Sequence, residues 1–344
     1  MALKLKRNKS GRHILIVLAA LAATIAADPA KALPADLPAL PSFAERLYNA
    51  GNYRQAADAL QGAITQDLRN ASLYYWLGRC YFEVRDFKRS ISTWERAVEL
   101  DSARSDYHDW LGRAYGRKAE EESHSNTAGA LSLARKTRHE FETAVHLDIT
   151  NVNAQRDLIS FKAGAPPSLG GGEGQTLEQV RALSAVDPVE GTLALADLYA
   201  GRKKFDQAGA EYQKILDSAT AKVDAYLEVA DYCRDRGDAE HFRKAVEAAV
   251  KIAPSDRRLS YYKGVALVLE KKDPSTAENS LRTYLAKVPD NSEVPAHASA
   301  YEWLGRLDEN EQKSDLAIQQ YQMALTLDPQ NKAVQEALRR LQKK

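Results

Sequence analysis

His139-Glu140 is the first place in this chain where residue types could do chemistry. Two histidines four apart on a helix face one zinc ion, and a Glu beside the first serves as base. Here the fourth position on is Thr143 and the next histidine is His146, seven on and two turns away, too far to share a metal. His108, His124, His241 and His297 are scattered, with no ligand spacing to another His or to a Cys. Gly170-Gly171-Gly172 invites a phosphate cradle, which needs Gly, four residues, then Gly-Lys-Ser/Thr after a strand. The cluster instead runs into Glu173-Gly174-Gln175, with no lysine. No Ser/His/Asp set can be assigned by spacing. The expectation is therefore no catalytic residue, no metal and no cofactor.

Composition sets the frame that would have to position any site. The 344 residues hold 48 Lys+Arg against 47 Asp+Glu, so the basic excess of a nucleic-acid footprint is missing. Apolar residues make up 44% and charged residues 28%, a globular balance. Two cysteines make neither a disulfide scaffold nor a Cys-rich metal site. Gly and Pro are few and clustered among abundant Ala, Leu, Glu, Lys and Arg, which favours helix.

The start of the chain reads as an address. Lys4, Lys6, Arg7, Lys9 and Arg12 precede an apolar run from Ile14 to Ala27, and Ala30-Lys31-Ala32 offers small residues at an exit. That run has 14 residues, short of the roughly 20 that cross a membrane, and the whole pattern is that of a signal peptide over 1–32. An uncleaved anchor at 14–27 is the alternative. Removing 1–32, with six basic groups and one acidic, takes the net charge from +1 to −4. The expected location is the periplasm or cell envelope, without a nucleotide supply. Pro34, Pro38 and Pro41 make 33–42 a Pro-rich linker.

The rest repeats. Leu77, Gly78 and Tyr81 recur 34 residues later as Leu111, Gly112 and Tyr115, and Ala63 and Ala97 share that spacing. A 34-residue period of helix–turn–helix units is the signature of one repeat family, and these residues resemble the tetratricopeptide repeat. About eight units follow: 37–70; 71–104, with Trp94; a third from 105, whose Phe141 and Ala144 come 13 residues late; and a fourth over 152–188 that lacks the glycine. Leu195 and Tyr199 mark the fifth, Tyr226 and Gly237 the sixth, Gly264 and Ala277 the seventh, Gly305 and Tyr321 the eighth. A closing helix occupies 332–342. The resemblance implies an all-α fold, a right-handed α-solenoid with a C-terminal capping helix. Cys80 and Cys233 then fall at interior-facing places in units two and six, as separate buried thiols.

Two segments break the period. Within 117–138, Glu120-Glu121-Glu122 and the polar run 123–129 predict a lengthened first helix, a loop, and a second helix resuming near Ala130. Within 163–174, Pro166-Pro167 and the glycines exclude regular helix. That stretch reads as a hinge between N-terminal units (43–162) and C-terminal units (175–344), or as a loop against the concave face.

In this family the ligand surface is usually built from first-helix positions two, five, nine and twelve. Those positions give Tyr75, Arg79 and Phe82 in unit two, Asp106, Asp109 and Arg113 in unit three, and Asn153 and Arg156 in unit four. Arginines beside aromatic rings suit a peptide carrying carboxylates and apolar side chains. Glu45, Tyr75 and Trp76 stand where the carboxylate clamp of chaperone-binding members needs Lys and Asn, so chaperone tails are not expected ligands. The expected function is a non-catalytic protein–protein adaptor of the cell envelope. Self-association or a chaperone-like assembly role is the alternative, and an enzyme or small-ligand binder using the polar insert ranks below both.

Overall fold

The computed structural model describes residues 42–291 and 294–342; the expected leader and nearly all of the Pro-rich linker lie outside the described residues. The described chain is helical throughout, and its helices come in antiparallel pairs. They are α1 (Ser42–Asn49) with α2 (Tyr53–Ile64), α3 (Ala71–Glu83) with α4 (Phe87–Leu100), α5 (Ser105–Glu122) with α6 (Thr127–Leu147), and α7 (Val152–Gly164) with α8 (Glu173–Val186). Then follow α9 (Pro188–Gly201) with α10 (Phe205–Leu216), α11 (Val223–Arg236) with α12 (Ala239–Ile252), α13 (Leu259–Glu270) with α14 (Pro274–Lys287), and α15 (His297–Asn310) with α16 (Ser314–Leu327). A last helix, α17 (Lys332–Leu341), packs on α16. This is the α-solenoid of eight helix pairs and a closing helix.

Helix starts are set by short polar side chains that bond the first free amides. Asp86 accepts from Arg89 N, Asn126 from Gly129 N, Asn151 from Ala154 N, Asp187 from Glu190 N and Asp238 from His241 N. Such caps each contribute about 1 kcal/mol. Six of the turns inside pairs use a left-handed residue: Gly51, Arg85, Lys203, Gly237, Lys271 (followed by Asp273) and Gln312 all have positive φ. Gly51 to Arg85, Lys203 to Gly237 and Gly237 to Lys271 are each 34 residues apart. The turn therefore keeps the repeat even where the residue is not glycine.

The two helices of a pair close to contact because the first lacks a side chain where the second carries a large one. A Cβ on Gly78 would stand 2.6 Å from the Trp94 ring, and one on Gly112 would stand 2.6 Å from Phe141. The same holds at Gly264 with Leu281 (2.7 Å) and at Gly305 with Tyr321 (2.6 Å). Contact at this range lets second-helix side chains reach first-helix backbone. Trp94 Nε1 donates to Tyr75 O at 3.0 Å and Ser90 Oγ to Gly78 O at 3.0 Å. Trp94, Phe141 and Tyr321 are fully buried as a result.

The chain divides into two compact units, the first ending at Glu211 and the second beginning at Tyr212, inside α10. The Pro/Gly segment 163–174 therefore lies within the first unit and not at a division between units. There Pro167–Leu169 form a 3-10 turn, and Leu169 and Ala165 are buried with Phe141, Leu158 and Phe161. Gly171 is held so close to the chain that a Cβ would overlap Ala165 O, and Gly172 N donates to Lys162 O at 3.1 Å.

The long third pair also differs in detail from its expectation. The first helix is lengthened to 18 residues, but the second begins at Thr127, not near Ala130, and runs 21 residues. Asn126 caps it, so only 123–126 form the loop. The extra length is divided between both helices and keeps Phe141 under Gly112. Cys80 and Cys233 are buried free thiols, pushed up to about 12 chiefly by burial.

The close approach is testable against a glycine in open space. A Cβ at Gly62 in α2 would meet nothing within 4 Å. Gly62→Ala is expected to stabilise by up to about 1 kcal/mol through helix propensity. Gly78→Ala, despite the same propensity gain, is expected to lose stability, since overpacking costs about 1–3 kcal/mol. Urea unfolding followed by helical circular dichroism reads both, and equal effects would remove the crossing constraint.

Candidate functional site

The inner helices of the first unit carry all eight residues expected to face a ligand, and their neighbours cover most of them. Tyr75, Arg79, Phe82, Asp109 and Arg113 are buried, while Asp106, Asn153 and Arg156 are half-buried. Tyr75 stacks on Tyr107 with ring centroids 5.2 Å apart. Phe82 packs edge-on against Phe87 and Trp110, both at 5.4 Å. Arg79 donates to Tyr48 Oη at 2.9 Å and lies 4.0 Å from the Trp110 ring centroid. Arg113 lies over Trp110 as well, at 4.6 Å. One indole of α5 thus bears a guanidinium from α3 and one from its own helix.

The charges continue along the stack. Arg113 Nε donates to Asp157 Oδ2 at 2.5 Å and its Nη2 pairs with Asp109 Oδ2 at 3.1 Å, tying α5 to α7. Arg156 reaches Glu190 at 3.1 Å and Asp197 at 2.7 Å, tying α7 to α9. Asn151 donates to Asp106 at 3.2 Å. These side chains are seams between successive inner helices. Their guanidinium forks are turned to carboxylates of the same unit, so the first-unit residues are poor candidates for the open donors of a groove. Position on a helix face does not tell how closely the next helix approaches.

Burial moves several groups on α5. It raises the Asp109 carboxyl well above the usual range, outweighing Arg113, and raises Glu120 to about 7 against Arg117. His108 is pushed down by burial, but the Glu140 carboxylate at 2.6 Å and the Ser102 carbonyl at 3.1 Å together raise it above its ordinary value. Both ring nitrogens thus face acceptors, which favours the doubly protonated ring. Glu140, part of the His139-Glu140 pair, serves this contact between α5 and α6 while His139 is exposed. Among the described residues no group of three or more His, Cys, Asp or Glu could hold a metal ion.

The second unit holds an open cavity. A cavity of about 390 Å³ runs between α13, α15 and α17, floored by Val268, Trp303 and Ala337 and edged by Arg306, Glu309 and Arg340. Arg306 lies over the Trp303 ring at 4.4 Å with 45% of its side chain exposed, and Arg340 is 60% exposed. Their carboxylate partners are well supplied. Glu302 accepts from Arg306 at 2.6 Å and Asn331 at 2.9 Å, and Glu309 from Arg340 at 2.6 Å and Tyr321 at 2.8 Å. Each guanidinium spends Nη2 on these bonds. The edge of the cavity thus offers more donors than acceptors. A second hollow of about 560 Å³ lies against α12, where Lys244 is already paired with Glu240 at 2.7 Å.

The sequence reading placed no site residue in this cavity, although a signal was there. Trp-Leu-Gly-Arg occurs three times, at Trp76–Arg79, Trp110–Arg113 and Trp303–Arg306. The first two tetrapeptides supplied Arg79 and Arg113; the third was passed over with unit eight.

The contrast between these arginines sets two expectations. Arg113→Gln leaves Asp109 and Asp157 without their guanidinium, and breaking such a buried pair costs about 3–5 kcal/mol. Arg306→Gln, at an exposed pair, is expected to change stability by less than about 1 kcal/mol. Denaturant unfolding separates them. For His108, the raised folded value means its contribution is complete below pH ~6.5 and is lost as pH rises through that folded value. Melting temperature against pH should show that fall, and His108→Gln should flatten it.

Comparison with known proteins agrees with this architecture. The tetratricopeptide repeat profile matches residues 42–107, 193–257 and 262–332, together more than half of the chain. No functionally curated protein matches. Among solved structures, a tetratricopeptide repeat protein from Parabacteroides merdae is 14% identical, over 79% of this chain and 98% of its own, with a TM-score of 0.45. TTC0263, a repeat protein of Thermus thermophilus, is 18% identical over 55% of this chain and 95% of its own, with a TM-score of 0.44. The C-terminal part of a repeat-containing protein from Cytophaga hutchinsonii is 15% identical over 86% and 98%, with a TM-score of 0.39. With its profile matches, its 34-residue period and its glycine-closed helix pairs, the chain belongs to the tetratricopeptide repeat family.

Proposed function

We propose that the protein is a non-catalytic interaction scaffold that holds a peptide or protein segment in the second-unit groove between α13, α15 and α17. Tetratricopeptide repeats serve protein–protein interaction, and the fold leaves partner choice to the site. The observation that carries the reading is Arg306. It is stacked on Trp303 and half exposed at the edge of a cavity lined by both polar and apolar side chains, where a guanidinium keeps donors for a partner. The leader-like residues 1–32 support a periplasmic or envelope location. Among the described residues no helix is long and apolar enough to cross a membrane.

A second reading, self-association, draws on Leu316, Met323 and Leu327, which are 43%, 44% and 47% exposed along one face of α16. Sedimentation over a range of concentrations separates it from the scaffold reading. For the groove, tagged protein from Ser42 onward is used to capture partners from envelope extract, alongside the Arg306→Ala/Arg340→Ala variant. Each charge-assisted bond lost costs about 1.5–3 kcal/mol, so a groove partner is expected to fall at least tenfold in affinity. Lys244→Ala, at the other hollow, is expected to leave binding unchanged. A partner that ignores the double variant and responds to Lys244→Ala places the site elsewhere.

A further inference from the structure

The first unit contains a charge cluster that interaction with a partner does not use. Asp109 on α5 and Asp157 on α7 are both buried and meet on one guanidinium, that of Arg113. Asp157 takes the Nε donor at 2.5 Å, while Asp109 takes Nη2 at the longer distance of 3.1 Å. The other oxygen of Asp109, Oδ1, is buried without a hydrogen-bond partner among the described residues. Two carboxylates on one cation would leave a net negative charge in a site closed to water, and desolvation makes that costly. One retained proton removes it.

Among the described residues, Arg113 is the cation that pairs with Asp109. On its own helix Asp106, half-buried, adds negative charge, and His108 is turned to Glu140 of α6. On α7, Arg156 is turned to Glu190 and Asp197 of α9. On α3, the Arg79 guanidinium lies over the Trp110 ring and bonds Tyr48. On α4, Glu95 accepts from Tyr115 of α5 at 2.6 Å.

We propose that Asp109 keeps its proton beside the Arg113–Asp157 pair, and that this proton clamps α5 to α7. While the proton is held, the cluster is neutral and the seam closed. When a base in solution removes it, the second carboxylate ionises, and the repulsion is relieved by parting α5 from α7 and admitting water. Burial raises the Asp109 carboxyl well above its ordinary value, in the sense this requires. The sign follows: between the unfolded value near pH 4 and the folded one, the folded chain binds more protons. Stability of the first unit therefore falls as pH rises through that interval.

The test uses the whole chain carrying carboxyl-labelled aspartate, with the infrared carbonyl band of the neutral acid read at pH 7. Asp109→Asn and Asp157→Asn each leave a single carboxylate for Arg113, so each should remove the same share of the neutral-acid band. Melting gives the second reading. Between pH 5 and pH 8.5 the wild-type midpoint is expected to fall about 5 °C further than that of Asp109→Asn. At pH 8.5 the variant should melt no lower than wild type, an outcome that loss of packing alone does not produce. If Asp109→Asn does not fold, Asp157→Asn carries both measurements. An unchanged neutral-acid band in the folded variant, or an unchanged fall with pH, overturns the proton kept on Asp109.

Discussion

The fold depends on how closely the two helices of each pair can cross. At Gly78, Gly112, Gly264 and Gly305 of the first helices, the second helix places an indole, phenyl, isobutyl or phenol group against the bare backbone. Closeness then makes other contacts possible. Trp94 finds a backbone acceptor, Ser90 another, and large rings are removed from water without a cavity. Packing at this density transmits any added methyl to the neighbouring helix. The pair is thus a rigid block, and the way blocks stack decides what happens to the outward side chains.

Stacking has opposite results for the same local sequence. Trp-Leu-Gly-Arg occurs on α3, α5 and α15. In the first two places another inner helix follows, and the arginines are drawn into seams between helices, with side-chain exposure down to 10% at Arg113. Beyond α15 and its partner α16 comes only the ten-residue α17 among the described residues, and Arg306 keeps 45% of its side chain in water. A guanidinium in a seam ties repeats together and binds carboxylates of its own unit. A guanidinium at an open edge can serve a partner. The difference lies in the following helix and not in the arginine's own neighbours along the chain.

Local chemistry was legible where a residue acts on the backbone beside it. The Gly237-Asp238 pair marks a turn and a cap, and in the structure Gly237 is left-handed and Asp238 caps α12. The lengthening of α5 followed from its unbroken polar helix formers. The start of α6 was missed by three residues because Asn126, in a polar run, acts as a cap that composition alone does not separate from a loop. Left-handed turns at Arg85, Lys203 and Lys271 carry no residue signal, since the closing of the helix pair imposes them. The Pro/Gly segment reads as a break in helix, and it is one. That Leu169 is buried inside the first unit depends on Phe141 and Phe161, from other helices.

By itself the sequence determined the repeat, the pairing of small with large residues, and breaks such as Gly237-Asp238 and the Pro/Gly segment, because these rest on interactions within one repeat. The tertiary structure alone decided which inner arginines became seams and which edged a groove. It also brought Asp157 to Arg113, 44 residues away, and Glu140 to His108, 32 residues away. Burial and charge pairing depend on how close separate helices come. That distance follows from the packing of the whole stack, which no local spacing encodes.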